Sequence, residues 1–240
     1  MDKLLVALDV ETGGEALRLA DTLRGAVGGF KIGNQLFTAE GPVMVRTLAA
    51  KGDRVFLDLK FHDIPNTVAS AVTAATSVGA WMINVHASGG VKMMRAAAEA
   101  ARTTAGALGR PAPLLIGVTV LTSIDGAALS ETGVGSPVLE HVTRLARLAQ
   151  QAGLDGVVAS PQETSVIRAV CGSGFTIVTP GIRGGAAASD KHDQARTMSA
   201  REAMAAGASY IVVGRPSIGA PDPREAAERI AEEIRSVTSP

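Results

Sequence analysis

The chain has one cysteine, Cys171, in 240 residues. That excludes an internal disulfide framework and a zinc site built on paired thiols, so a reducing cytoplasm is the expected setting. Cys171 reads as a small packed residue. Aromatic residues make up only 3% of the chain, and none are interleaved with basic residues in the way that stacks single-stranded bases. Neither sign of charge prevails: 23 Lys and Arg balance 23 Asp and Glu, and the pI is near 6.9. No broad field therefore draws the protein to nucleic acid or to an acidic membrane. No apolar stretch approaches the roughly 20 residues that cross a bilayer. The opening residues enter a strand pattern without a basic, apolar and small-residue leader. A cytoplasmic protein with a small-molecule partner is expected.

Several motifs are also missing. There is no G-x-x-x-x-G-K-[ST], no G-x-G-x-x-G after a strand and no Gly-x-Ser-x-Gly elbow, which speaks against a nucleoside triphosphate, a dinucleotide cofactor and a serine nucleophile. His62, His86, His141 and His192 lack the i, i+4 spacing of a helical zinc site, and the acids form no calcium loop. No metal is expected.

What is present is a large apolar content, 46%, with positive mean hydropathy, enough to bury a sizeable core. Short β-rich runs alternate with longer Ala/Leu/Arg-rich segments from end to end, the pattern of repeated βα units around a parallel sheet. Eight strands are predicted: Leu4 to Val10, Phe30 to Gly33, Val55 to Lys60, Met82 to Ala87, Leu114 to Val120, Gly156 to Ser160, Thr176 to Ile182 and Tyr210 to Gly214. Helices are predicted at about 14–27, 35–50, 64–78, 91–107, 137–152, 161–170, 199–206 and 223–236. Gly52, Gly79, Gly153 and Gly207 sit where left-handed caps would end four of these helices. The count and spacing favour a single α/β domain over residues 1–240, a closed (β/α)8 TIM barrel, with an open doubly wound sheet as the alternative. Two stretches, Thr122 to Ser136 and Arg183 to Met198, are too long for simple turns and are expected to be functional or mobile.

Val55 to Thr67, VFLDLKFHDIPNT, organises the rest. Alternation along a strand puts Phe56, Asp58 and Lys60 on one face, so an acid and a base point the same way at the strand's end. Asp63 follows, and Pro65 suits the first turn of a helix. In a barrel the C-terminal strand ends form the mouth where active sites are built. Asp9, Lys31, Asp58, Lys60 and the Thr122-Ser123 pair all fall there, with His86 at the end of the fourth strand read as structural. Packing alone favours Val, Ile and Leu at such positions, because unpaired buried charge is costly. Lys31, Asp58, Lys60 and Asp63 alternate in sign, so each favours the ionised form of its neighbours. After strands seven and eight come Pro180-Gly181-Ile182-Arg183-Gly184-Gly185 and Gly214-Arg215-Pro216. Glycine backbone and arginine forks at those two loops suit a phosphate group.

Taken together, Leu8-Asp9, Phe30 to Gly33, the run Asp58-Leu59-Lys60-Phe61-His62-Asp63-Ile64-Pro65-Asn66-Thr67, Val120 to Ser123, Pro180 to Arg183, Asp193-Gln194 and Val213 to Pro216 resemble the orotidine 5'-phosphate decarboxylase family. The resemblance spans essentially the whole chain. It implies a homodimer of (β/α)8 barrels that converts orotidine 5'-phosphate to UMP without a cofactor. It makes Lys60 the proton donor, with Asp58 beside it and Lys31 completing the network. Asp63 and Thr67 would reach the partner's site, and Asp9 and Lys31 would bind ribose hydroxyls. Thr122 and Ser123 would lie near the pyrimidine, while Pro180, Arg183, Gln194, Gly214 and Arg215 belong to the phosphate end. The chain departs from the family in Ala186 to Ala200, where Asp193-Gln194-Ala195-Arg196 is followed by Ser199-Ala200. Two alternatives stand beside this reading: a magnesium-dependent sugar-phosphate decarboxylase with a related Asp-x-Lys-x-x-Asp pattern, and a non-catalytic protein that binds a nucleotide phosphate.

Overall fold

A computed structural model describes residues 2–183 and 198–238. Eight parallel strands close into a barrel: β1 (Leu4–Ala7), β2 (Gly29–Gly33), β3 (Val55–Phe61), β4 (Met82–His86), β5 (Leu114–Val118), β6 (Gly156–Val158), β7 (Thr176–Thr179) and β10 (Tyr210–Val213). Each pairs with its chain neighbour, and β1 pairs with β10 to close the ring. The open-sheet alternative is thereby excluded. Two further strands, β8 (Ile182–Arg183) and β9 (Met198–Ser199), form a separate parallel pair above the ring.

The outer layer is α1 (Gly13–Leu23), α2 (Asn34–Glu40), α3 (Pro42–Ala50), α4 (Pro65–Ser77), α5 (Gly90–Ala107), α6 (Gly126–Glu131), α7 (Val138–Gln151), α8 (Thr164–Cys171), α9 (Ala200–Ala205), α10 (Arg215–Ile218) and α11 (Pro223–Thr238). Local chemistry sets their ends. Thr12 accepts from the Glu15 N–H to start α1, and Ser199 and Glu202 form a reciprocal capping box on α9. The four glycines expected as caps all take positive φ, from 81° to 104°. Two expectations need correction. The single helix over 35–50 divides at Gly41, whose φ of 66° breaks the run before Pro42 restarts it. The stretch 122–136 is not all loop, because the Asp125 carboxylate accepts from the Ala128 N–H and starts α6.

Two apolar compartments result. Between barrel and helices lies the larger core, including Leu4, Val6, Ile32, Leu57 and Ile83. Inside the barrel, Leu5, Ala7, Phe56, Met82, Ile116, Val178 and Val212 fill the floor, with Trp81, Leu114, Val158 and Tyr210 packed against them. The register shows why a second, polar set sits on top. Lys31 pairs with Phe56 and Gly33 with Asp58, while Asn84 lies two residues above Met82, so all of these share the inward face.

Candidate active site

The site is built around the end of β3. Its pairing with β4 shifts register between Leu57 and Phe61, and Lys60 has φ of 55°. Among the described residues it is the one non-glycine residue at positive φ. A lysine in that conformation costs about 1–2 kcal/mol, and such strain gathers at functional sites. The distortion frees the Lys60 N–H from the strand ladder, and Asn84 Oδ1 accepts it at 2.8 Å. The same amide donates from Nδ2 to Asp58 Oδ1 at 2.6 Å, where Lys60 Nζ also donates at 2.7 Å. Simple alternation anticipated that Asp58 and Lys60 would meet. It did not anticipate the left-handed turn that sets how they meet.

The second lysine extends the array. Lys31 Nζ donates to Asp9 Oδ1 at 2.9 Å and lies 3.5 Å from Asp58 Oδ2. Asp9, Lys31, Asp58 and Lys60 thus form a connected line of alternating charge. The two central side chains are 11% and 13% exposed, against 47% for Asp9 and 28% for Lys60 at the ends. An array that retains solvent at its ends and excludes it at its centre is a poor source of stability, since desolvation offsets much of the attraction. It is well suited to holding charge at fixed positions. Gly33 makes room for it, because a Cβ there would stand 2.9 Å from Lys31 Nζ and 3.3 Å from Asp9 Oδ1. Beside the array, the His86 ring lies 5.4 Å from that of His62. Burial first, then the nearby His62 and Lys60, lower the His86 pKa, with Asp58 opposing them.

The remaining expected residues divide. Thr122 and Ser123 lie in a tight turn after β5, closed by the Ile124 N–H donating to the Leu121 carbonyl at 2.9 Å. Asp63, Ile64 and Thr67 are exposed, and Asp63 Oδ1 accepts from the Ile64 N–H at 2.6 Å. Among the described residues Asp63 makes no ion pair, so one chain alone does not bring it into the array. Pro180 follows β7, Arg183 ends β8, and exposed Arg215 begins α10 directly after Gly214. A Cβ on Gly214 would lie 3.6 Å from Asp9 Oδ2, which ties the end of β10 to the charged line. Gln194 lies outside the described residues, as does His192. Sequence reasoning missed Asn84, a fully buried amide in the middle of β4. The available signal was a poor strand former among the apolar residues of Met-Ile-Asn-Val-His. Among the described residues no three His, Cys, Asp or Glu side chains group as a metal would require. No helix there is long and apolar enough to cross a membrane.

A sequence model of the orotidine 5'-phosphate decarboxylase / HUMPS family matches residues 2–230. The chain belongs to that family. Similar proteins include the orotidine 5'-phosphate decarboxylase of Moorella thermoacetica, 54% identical over 98% of this chain and 93% of that one. Another is that of Syntrophotalea carbinolica, 54% identical over 97% and 94%. Among solved structures, the orotidine 5'-phosphate decarboxylase of Lactobacillus acidophilus superposes with a TM-score of 0.86 at 35% identity, covering 98% of this chain and 99% of that one. Orotidine 5'-phosphate decarboxylase / HUMPS family membership and the closed barrel therefore agree.

Proposed function

We propose that this chain decarboxylates orotidine 5'-phosphate to UMP, in pyrimidine biosynthesis, using only its own charged side chains. The observation that carries the reading is the Asp9-Lys31-Asp58-Lys60 line, with Lys60 Nζ held 2.7 Å from Asp58 Oδ1 at the barrel mouth of a family member. Loss of carbon dioxide from a pyrimidine carboxylate leaves an electron pair on a ring carbon. Without an electron sink, that charge must be met by charge already in place. Lys60 fills this role in the proposal: its ammonium stabilises the developing carbanion and then delivers a proton to the same carbon. Asp58 fixes where that ammonium stands. Lys31 holds Asp58 from the other side and, with Asp9, lies at the position assigned to the ribose hydroxyls.

The phosphate is assigned to the loops after β7 and β10, where Arg183, Gly214 and Arg215 lie, with Gln194 completing the set and Pro180 shaping the approach. Thr122 and Ser123 border the pyrimidine. Asp63 and Thr67 are assigned to the active site of a second copy in a homodimer, a reading supported by the exposure of Asp63, Ile64 and Thr67 beside a mouth that one chain leaves without them. A cytoplasmic setting fits the single buried thiol, Cys171.

The test is the loss of orotidine 5'-phosphate absorbance with purified protein in EDTA, wild type against Lys60→Ala. Turnover by the wild type that disappears in the variant is expected. Wild-type turnover that requires added magnesium, or UMP binding without turnover, would overturn the reading in favour of a metal-dependent decarboxylase or a binding protein.

A further inference from the structure

We infer that Asn84 is the positioning residue that sets the catalytic geometry of Lys60 and Asp58, an inference that rests on the proposed function only for its kinetic consequence. The two bonds need a group that both donates and accepts. Asp58 can only accept and the Lys60 N–H can only donate, so a group between them must donate on one side and accept on the other. Asn84 does both, donating from Nδ2 to Asp58 Oδ1 at 2.6 Å and accepting the Lys60 N–H at Oδ1 at 2.8 Å. It is fully buried.

The backbone explains why such a brace is present. β3 leaves its register with β4 between Leu57 and Phe61, and Lys60 adopts φ of 55° within that gap. The N–H that would otherwise enter the ladder is orphaned by this turn, and Asn84 in the neighbouring strand receives it. The second bond then shares Asp58 Oδ1 with Lys60 Nζ, at 2.7 Å, leaving Oδ2 toward Lys31 at 3.5 Å. One side chain thus ties the strained backbone of Lys60 to the carboxylate that orients its own ammonium. Aspartate at position 84 would keep the acceptor and replace the N–H donor with an oxygen that repels the Asp58 carboxylate unless the pair takes up a proton, and leucine would lose both.

The experiment compares wild type, Asn84→Leu and Asn84→Asp by crystallography and by kinetics. In Asn84→Leu, Lys60 is expected to leave the left-handed region or its Nζ to separate from Asp58 beyond hydrogen-bond distance. In Asn84→Asp the Lys60 backbone is expected to stay left-handed while the Asp58 carboxylate rotates. Both variants are expected to lose at least tenfold in kcat, with KM and UMP affinity changed less than threefold. In an Asp58→Ala background the further loss on Asn84→Asp is expected to shrink to twofold or less, a coupling that a merely structural residue would not show. Unchanged Lys60 and Asp58 geometry in both crystal structures overturns the inference, as does a KM effect without a kcat effect. Should the wild type not turn over orotidine 5'-phosphate, the proposed function fails, and the crystallographic comparison still decides the positioning role. Should Asn84→Leu not fold, the isosteric Asn84→Asp decides the matter through carboxylate rotation and kcat.

Discussion

The floor and the mouth of this barrel are made by the same strands and obey opposite rules. At the floor, Leu5, Met82, Ile116 and Val178 interdigitate without polar atoms, and Trp81 meets Tyr210 edge to face, 5.3 Å between centroids. Charged groups near that end tie loops together, in ion pairs such as Arg24–Asp53 at 2.7 Å and in bonds to backbone carbonyls. The Arg168 guanidinium, for example, donates to the carbonyls of Gly172, Phe175 and Gly207 and so ties together the segments that lead into β7 and β10. Two residues further along the strands, the inward positions become Lys31, Asp58 and Asn84, and charges face charges. The floor is stabilised by burial. The mouth relinquishes stability for fixed charge, and its left-handed lysine is the clearest sign of that exchange.

This contrast fails if the two ends respond alike to substitution. Lys60→Ala is expected to lower kcat by about 10²–10⁴-fold with little change in melting temperature, measured by absorbance assay and thermal unfolding; a matching loss of stability would make Lys60 a structural residue. Leu5→Ala at the floor is expected to cost about 2–5 kcal/mol through lost contacts and a residual cavity. Its turnover, assayed well below the melting point, should stay near wild type. Calorimetry and kinetics on one preparation check both halves of that statement.

Lys60→Gly separates the backbone of the mouth from its charge. Glycine accepts positive φ without penalty, so this variant is expected to lose turnover as far as Lys60→Ala does and to unfold about 2–4 °C higher, the shift of about 1 kcal/mol for a chain of this size. A lower melting temperature would mean that the Lys60–Asp58 ion pair outweighs the backbone strain. Gly33→Ala brings a methyl against the Lys31 ammonium. Because the end of a flexible side chain can shift, a loss of only severalfold in kcat is expected, with stability nearly unchanged.

The smallest effect concerns pH. Burial, with His62 and Lys60, holds the His86 pKa below its ordinary 6.5. The unfolded chain therefore binds this proton more readily, so His86 supports full stability above about pH 6.5 and withdraws it as pH falls through the lowered value. Thermal unfolding at pH 7.5 and 5.5 is expected to show a steeper loss for wild type than for His86→Leu. Equal slopes would show that His86 carries none of the pH dependence.

Much of the barrel was legible because its signals are local and repeat. Each βα unit carries a β-rich run and an amphipathic helix, several of them closed by a glycine cap, and eight such units close in only one common way. The Asp58 to Thr67 run was legible as chemistry because charged residues at a strand end violate what packing alone would select. Less legible was whatever depended on one residue altering the backbone of another. Gly41 divides a helix that periodicity reads as continuous. Asn84 looks like a lone amide in an apolar strand until the gap opposite it in β3 supplies both of its partners.

Composition and periodicity were sufficient for the class of fold, the charge balance and the identity of the acids and lysines at the mouth, because each is written in local pattern and residue type. Tertiary structure alone decided the order of those charges in space. It set Asp9, Lys31, Asp58 and Lys60 in one line, left Asp63 outside it within a single chain, and turned Lys60 left-handed against Asn84. The physical reason is that hydrogen bonds and ion pairs act over about 3 Å, whereas residues 9, 31, 58 and 84 come within that reach only after four strands have paired in register and the barrel has closed.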